Sequence, residues 1–249
     1  MAKSITIIIV SILFISCNNK SKNINYYLFP DKSITTSSNI QIYLDSVSNF
    51  LPEEYKERYQ IQPLIFHKIK KKDSIINFLK LNLVEKNENK SNIDDYEFVQ
   101  DSLFLFLNRE IPRFSLRNIF DEEVSSENLK GKPTLINFWS IACAPCIAEF
   151  PILEKIKEKY KDQINFIALT ENTSKEVISF LKKRNFSYYV LVNTFKYQEL
   201  VLKINSLPTN IILDKNGIIK DISGSIPLDP MSLKYNSTNI EKTLNSLIK

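Results

Sequence analysis

The chain has 249 residues, of which 43% are hydrophobic and 24% are charged. This length allows one large domain or two ordinary ones, and the composition is typical of a globular protein, which excludes collagen-like, coiled-coil and wholly disordered chains. The formal net charge of +5 is spread along the chain without a strong cluster, so we expect a solvated lysine-rich surface and no nucleic-acid partner. The 3 glycines show no Gly-x-Gly spacing, which argues against a glycine-rich phosphate cradle.

Residues 1–17 have the pattern of an export signal. Lys3 supplies a positive charge, an apolar run too short for a comfortable bilayer-spanning helix follows, and a small residue then precedes Cys17. The run resembles a bacterial lipoprotein signal, in which Cys17 is lipidated after cleavage, although Phe14 departs from the leucine usual there. An ordinary secreted protein with a free Cys17 and an uncleaved anchor are the alternatives. All three predict that residues 18–249 lie outside the cytoplasm.

The next two segments differ in polarity. Residues 18–38 are polar and rich in serine, asparagine and lysine, which predicts a tether. Residues 39–110 show helical spacing in places, with one helix stopped by Pro52 and another capped by Asp73, so we expect a smaller, mainly helical N-terminal region. It contains His67, the only histidine of the chain, which has no partner at metal-ligand spacing and is therefore expected to be an ordinary surface or core residue.

From residue 111 to 249, strand and helix patterns alternate in the order ββ, βαβαβα, ββ, α, which predicts an α/β domain with a full core of its own. An apolar run over residues 103–107 precedes it, and its period fits either a strand or a buried helix. The run over residues 134–139 is continuously apolar, as in a buried strand. Two Thr-x-x-Glu patterns, at Thr173 and Thr238, predict helix capping boxes.

Cys143 and Cys146 form a Cys-x-x-Cys pair directly after this buried strand and at the start of a predicted helix. A zinc site would need two more ligands, and the sequence offers only Cys17 and His67, which are distant and unpaired. A purely structural disulfide would close a tiny loop and constrain little. A redox pair needs a helix N-terminus, where free N–H groups and the helix dipole stabilise a thiolate at the first cysteine. The residues therefore predict a redox pair and no metal.

The residues around this pair resemble the active-site run of the thioredoxin-like family, in its extracytoplasmic ResA/TlpA branch. The run that ends at Pro151 reads FWSIACAPCIAEFP, where that branch typically has FWATWCxPCxxExP. Further motifs occur in the family's order: Ile111-Pro112-x-Phe114, Gly131-Lys132-Pro133, and Ser206-Leu207-Pro208-Thr209 followed by a turn from Asp214 to Gly217. The resemblance covers roughly residues 111–249 and implies a thioredoxin fold whose cysteines exchange disulfides with other proteins, without a cofactor.

The resemblance also implies roles for individual residues. Cys143 is the exposed nucleophile that attacks a substrate disulfide, and Cys146, one turn further along and more buried, resolves the mixed disulfide. Pro208 is the candidate cis-proline. In that geometry the backbone of Leu207 faces Cys143 and pairs with an extended substrate.

Glu149 is the candidate acid–base residue. It lies three positions after Cys146 and therefore on the same side of the predicted helix. A buried carboxylate can accept a proton at neutral pH, whereas a solvated glutamate on an amphipathic helix is the alternative. Cytoplasmic thioredoxins bury an aspartate just before the Phe-Trp pair, but here Asn137 stands at that position and cannot titrate.

One departure from the family concerns the docking surface. Ala142 replaces the tryptophan that usually precedes the first cysteine, which puts partner specificity in doubt but leaves the thiol chemistry intact. Trp139 remains, either as a core residue that flanks the site or as a substrate contact.

Together these patterns predict a lipid-anchored thiol–disulfide oxidoreductase of the cell envelope, facing the periplasm or the exterior. Its expected partners are thiols and disulfides of exported proteins, and a membrane electron donor is a further candidate partner. The resemblance favours a reductant, with cytochrome c maturation or general disulfide repair as candidate roles. Three other classes stay open: a peroxiredoxin-like peroxidase, a copper-assembly protein, and a binding module whose N-terminal region docks a partner. A peroxiredoxin-like peroxidase would have a Thr-x-x-Cys motif, and a copper-assembly protein would have a Cys-x-x-x-Cys motif with a distant histidine. Neither pattern occurs around Cys143.

Overall fold

The computed structural model describes residues 24–29, 33–49, 51–86, 98–224 and 230–248. The predicted signal and its lipidation candidate Cys17 lie outside these residues. Within them, no helix combines the length and the apolar character that a membrane crossing requires.

The described N-terminal residues form a four-stranded sheet with a helix packed on one face. The elements are β1 (Ile24–Leu28), β2 (Ile34–Thr36), α1 (Ile40–Ser48), α2 (Glu53–Lys56), β3 (Tyr59–Lys70) and β4 (Ser74–Glu85). The strand order is β2-β1-β4-β3, in which β1 runs parallel to β4 and the other pairs are antiparallel. Ile40 and Leu44 of α1 pack against Leu79 of β4, which gives this sheet a small core of its own.

The structure differs from the tether predicted over residues 18–38. Residues 24–28 and 34–36 are strands, because Tyr27 and Phe29 are buried in the core beneath α1. Besides β2, β1 pairs with β4, about fifty residues further along the chain. The polar composition of residues 18–38 therefore did not reveal β1, which pairs with the distant strand β4.

The helix predicted after Asp73 is also wrong, and the described N-terminal residues contain more strand than helix. That segment forms β4, along which the alternate residues Asn77 and Leu79 are buried. Apolar residues spaced to fit a helix also fit one face of a strand, and antiparallel pairing with β3 selects the strand. The first predicted helix is confirmed as α1, which ends at Ser48, before Pro52.

The apolar run that precedes the second region forms a 3-10 turn over Ser102–Phe106. Leu103 is buried in a core cluster of the second region, and Phe104 packs against the same cluster. The Phe104 ring also meets the Phe66 ring of β3, with 4.5 Å between the centroids. The core of the second region therefore begins before the boundary predicted at residue 111, and this turn connects the two sheets.

The second region is the predicted α/β domain, built on a seven-stranded mixed sheet. Its strands are β5 (Ser115–Asn118), β6 (Glu123–Ser125), β7 (Thr134–Trp139), β8 (Asn165–Thr170), β9 (Tyr189–Val192), β10 (Thr209–Leu213) and β11 (Ile219–Ser223). Their order is β11-β10-β7-β8-β9-β5-β6, and β7, β8 and β9 are parallel. Leu135 and Trp139 of β7 belong to one core cluster, and Ile136 and Phe138 belong to the other. Because successive side chains of a strand point to opposite faces, both faces of the sheet are covered.

The helices of this domain are α3 (Ala144–Tyr160), α4 (Ser174–Leu181) and α5 (Pro230–Leu247), with a π-helix over Lys196–Val201. The capping box of α4 is confirmed, since Thr173 and Glu176 bond reciprocally. The cap predicted at Thr238 is wrong because α5 begins at Pro230.

Candidate active site

The cysteine pair lies where β7 ends and α3 begins. Cys143 is the N-cap of α3 and is joined to Cys146 by a disulfide, with 5.3 Å between the Cα atoms. The backbone N–H of Cys146 donates a hydrogen bond of 3.2 Å to the Cys143 sulfur. Pro145 lies in the first turn of α3, where a missing N–H group breaks no helical hydrogen bond. The helix N-terminus therefore presents a donor and its dipole to the sulfur of Cys143, which favours a thiolate there once the pair is reduced.

The two cysteines differ in exposure. Cys143 is half-buried, whereas Cys146 is fully buried at 0% exposure. A docked protein can therefore reach the sulfur of Cys143 but not that of Cys146. This asymmetry matches the predicted division between an attacking and a resolving cysteine.

The loop before Cys143 is held by residues that follow β8. The side-chain oxygen Oδ1 of Asn172 accepts hydrogen bonds from the backbone N–H of Ile141 at 3.0 Å and from the Thr170 hydroxyl at 2.9 Å. The Ser140 hydroxyl donates to the Glu171 carboxylate at 3.1 Å. Sequence reasoning missed Asn172. The signal was a polar residue directly after a predicted parallel strand, because such strand ends meet at one edge of the sheet.

The predicted cis-proline loop lies at the same end of the sheet. The Leu207–Pro208 peptide bond is cis, and β10 starts directly after it. Because Thr209 pairs with Phe138 across β10 and β7, the loop before β10 faces the residues that follow β7. Leu207 and Cys143 pack against the same core cluster. The structure thus places Leu207 and Pro208 at the end of the sheet that also bears the cysteine pair.

Trp139 has no exposed surface, which excludes it as a substrate contact. It is fully buried and its ring packs among Phe150, Phe180 and Phe186, with centroid separations of 5.2 to 5.9 Å. A side chain enclosed in this way cannot touch a docked protein. The substrate-binding assignment of Trp139 is therefore corrected, and the residue belongs to the core behind the site.

Glu149 is fully buried on α3, which eliminates the solvated-helix alternative. Its carboxylate oxygen Oε1 accepts hydrogen bonds from the side-chain amides of Asn137 at 2.8 Å and of Asn210 at 3.5 Å. The same Asn137 amide also donates to Asn210 Oδ1 at 3.0 Å. Sequence reasoning missed Asn210 because it lies far from Glu149 along the chain. Strand pairing places Asn210 directly opposite Asn137.

His67 lies in β3 of the N-terminal sheet. Its ring nitrogen Nδ1 is 3.3 Å from the Gln100 side-chain amide, and burial lowers its pKa from 6.5. Among the residues that the structure describes, no three histidine, cysteine, aspartate or glutamate side chains are grouped so that they could hold a metal ion.

The second region of this chain is similar to known proteins. The family model described as the AhpC/TSA family matches residues 107–222. The chain is 33% identical over 118 residues to the thioredoxin-like protein YneN of Bacillus subtilis, a match that covers 46% of this chain and 69% of that protein. It is 28% identical over 130 residues to the thiol-disulfide oxidoreductase ResA of Bacillus cereus, which covers 51% of this chain and 75% of ResA.

Among solved structures, a protein of Chlorobium tepidum described as thiol:disulfide interchange protein DsbE superposes with a TM-score of 0.50. It is 18% identical, and the superposition covers 56% of this chain and 96% of that one. This likeness shows that the fold is thioredoxin-like.

Proposed function

Because this chain belongs to the thioredoxin-like family and is a protein-disulfide oxidoreductase, we propose that it reduces disulfides of exported proteins through Cys143 and Cys146. The observation that carries the proposal is the half-exposed Cys143 at the start of α3, in disulfide contact with a buried Cys146. One sulfur is open to a client protein and stabilised as an anion, and the second is protected until a mixed disulfide forms.

The reaction proceeds in two exchanges. The Cys143 thiolate attacks one sulfur of the client disulfide, a bond between Cys143 and the client forms, and the released client sulfur takes up a proton from solvent. Cys146 then loses its proton, and its thiolate attacks the Cys143 sulfur. The second client sulfur leaves and is protonated in turn. The client gains two electrons and two protons, and the cysteine pair returns to the disulfide seen in the structure.

Glu149 is the proposed acceptor of the Cys146 proton. Both residues are fully buried on α3, one turn apart. Water has little access to a thiol that is buried in this way, so deprotonation needs a group inside the protein. A carboxylate on the same side of the helix supplies one.

Leu207 is the proposed docking residue for the client. The loop that contains Leu207 and Pro208 faces the end of β7 from the neighbouring strand β10. An extended client segment that hydrogen-bonds to the Leu207 backbone would place its disulfide near Cys143. Ala142 is exposed beside Cys143, so the surface here is less bulky than the family's tryptophan would make it.

The proposed location is the cell envelope, where Cys17 carries a lipid that anchors the chain to a membrane. The proposal is supported by the signal-like pattern of residues 1–17. A thiol donor at the membrane would reduce the pair again by the same exchange in reverse. Clients would be exported proteins, with cytochrome c maturation or general disulfide repair as the candidate processes.

A redox titration with turnover assays tests this function. We expect the Cys143–Cys146 pair to have a midpoint potential below about −200 mV, as thioredoxin-type reductants do, rather than about −120 mV as in a strong oxidant. Insulin disulfides should be reduced by the wild type, Cys143→Ser should abolish the reduction, and Cys146→Ser should accumulate mixed disulfides.

Two controls separate this function from its alternatives. Cys17→Ala should leave insulin reduction intact in detergent but release the protein from membranes, and unchanged membrane partitioning would contradict lipid anchoring. Hydrogen peroxide should not be consumed. Full insulin reduction by Cys143→Ser, or peroxide turnover at a comparable rate, would overturn the proposed chemistry.

A further inference from the structure

A buried polar trio lies behind the cysteine pair. It consists of Asn137 on β7, Asn210 on β10 and Glu149 on α3, and none of the three side chains is more than 1% exposed. Their neighbours on the two strands are apolar core residues, apart from Thr209 at the start of β10. Since burial of amides costs free energy that apolar side chains would not cost, three polar groups enclosed together need a physical reason.

The trio directs amide donors to one carboxylate oxygen. Asn137 donates from Nδ2 to Glu149 Oε1 at 2.8 Å, and Asn210 donates from Nδ2 to the same atom at 3.5 Å. Asn137 also donates to Asn210 Oδ1 at 3.0 Å, which keeps the two amides in a common orientation. Hydrogen bonds to an ionised carboxylate favour its charged form, so the two asparagines oppose the effect of burial on Glu149.

The acceptor side of Asn137 is open. Its Oδ1 atom is buried and has no hydrogen-bond partner among the residues that the structure describes. Buried acceptors without a donor are rare in folded proteins. A side-chain amide combines two donors with one acceptor, so Asn137 can donate to the ionised Glu149 and can accept the proton of the neutral acid.

We propose that Asn137 and Asn210 are positioning residues that hold Glu149 in both of its charge states while the mixed disulfide is resolved. This inference rests on the proposed function, in which Glu149 takes the proton of Cys146. When the carboxylate is ionised, both amides donate to it. When the Cys146 proton arrives, the new O–H group donates to Asn137 Oδ1, and the proton then leaves for the released client thiolate.

Among the described residues, Cys146 and Tyr188 are ionisable groups near Glu149. Cys146 lies one turn before it on α3, and Tyr188 lies just before β9 and interacts with it electrostatically. The Tyr188 hydroxyl donates to the Leu153 carbonyl at 3.1 Å, and burial holds its pKa well above 10. Tyr188 therefore stays neutral near pH 7 and does not contribute to the pH dependence in that range.

The test is the pH dependence of mixed-disulfide resolution in the full chain, followed by stopped flow after Cys143 is loaded with a peptide thiol. Asn137→Leu removes the donors and the acceptor with little change in volume. Without the donors the carboxylate is protonated at higher pH, so we expect the rate profile to move upward by about one pH unit, with resolution about tenfold slower on the acid limb of the profile, below both inflections. Asn137→Ser, which keeps a donor and an acceptor, should restore most of the rate.

A double-mutant cycle separates positioning from packing. In the Glu149→Gln background, Asn137→Leu should cause no further shift, because the group that it positions is gone. A shift that persists there in full, or an Asn137→Leu profile that superimposes on the wild type, would overturn the inference. Should Asn137→Leu fail to fold, Asn210→Leu carries the same test with the smaller effect that its longer hydrogen bond implies.

The outcomes distinguish a failure of this inference from a failure of the proposed function on which it rests. A wild type that does not reduce disulfides would refute the proposed function, and equal profiles for wild type and Glu149→Gln would refute the proton role of Glu149. A profile changed by Glu149→Gln but not by Asn137→Leu or Asn210→Leu would refute the positioning role alone.

Discussion

Each of the two sheets of this protein buries a polar cluster, and the two clusters differ in what their hydrogen bonds achieve. In the N-terminal sheet, Lys80 pairs with Asp101 at 2.8 Å, and Asp101 also caps the 3-10 turn by accepting from the Leu103 N–H. In the second sheet, Asn137 donates to Glu149, and its acceptor Oδ1 has no partner among the described residues. The first cluster links segments of the chain, whereas the second has capacity for one more proton.

The difference follows from what lies beside each cluster. The N-terminal cluster is surrounded by aromatic rings, and Lys80 reaches solvent with 43% of its side chain exposed. The cluster of the second sheet is closed to solvent and lies on the helix that begins at the cysteine pair. Similar polar groups therefore stabilise structure in one sheet and, in the proposed function, serve proton transfer in the other, because the second cluster lies on the helix that begins at the cysteine pair.

The largest effect concerns whether the two sheets are independent. Leu103 is buried in the core of the second sheet although it lies outside the region first predicted to fold alone. Leu103→Ala should cost about 2–5 kcal/mol of unfolding free energy, measured by urea denaturation. The exposed neighbour Leu105 is the matched control, and Leu105→Ala should stay within about 0.5 kcal/mol.

The same argument applies to truncation. A chain that starts at Asn108 lacks Leu103 and should be less stable than one that starts at Gln100. Equal denaturation midpoints for the two chains would contradict a core that begins at Leu103, and would return the boundary to residue 111.

The next effect tests the second cluster through its carboxylate. Glu149→Gln keeps the shape and the hydrogen-bonding capacity but removes the charge. Removal of a nearby anion should lower the thiol pKa values by at least about half a unit, while loss of the base should slow substrate reduction several-fold near neutral pH. Thiol alkylation against pH and stopped-flow reduction of a peptide disulfide measure the two effects.

Glu158 provides the control for this substitution. It is exposed on the same helix, so Glu158→Gln changes the net charge equally without touching the buried trio. Identical titrations and rates for wild type and Glu149→Gln would leave the helix dipole and burial as the only influences on the cysteines.

The smallest effect is a pH dependence of stability from the N-terminal cluster. Burial lowers the pKa of His67 from 6.5, against the opposing effects of Gln100 and of the Asp101 charge. The unfolded chain therefore binds a proton more readily than the folded one, and stability should fall as the pH drops below about 6.5. His67→Phe should flatten the difference in unfolding free energy between pH 7.5 and pH 5.5. A wild-type profile that His67→Phe leaves unchanged would contradict this linkage, since the chain has no other histidine.

Prediction from the sequence succeeded best where local and tertiary signals agree. The α/β order of the second region was read from local periodicity and the Cys143–Cys146 pair from its spacing, whereas the Pro208 loop was identified through the resemblance to the thioredoxin-like family. The N-terminal sheet was missed in part, because β1 and β4 are partners far apart in sequence and the spacing of β4 also fits a helix. Local periodicity does not distinguish a helix from a strand where pairing with a distant strand determines the conformation.

By itself the sequence determined the reactive chemistry: two thiols at the start of a helix, a carboxylate one turn later, and a proline loop further along. Only the tertiary structure decided the environment of that chemistry. It buried Cys146 and Glu149 completely, enclosed Trp139 in the core, and placed Asn210 opposite Asn137 through the pairing of β10 with β7. The physical reason is that chemical identity belongs to each residue, whereas solvent exclusion and hydrogen-bond partners arise only when distant strands pack together.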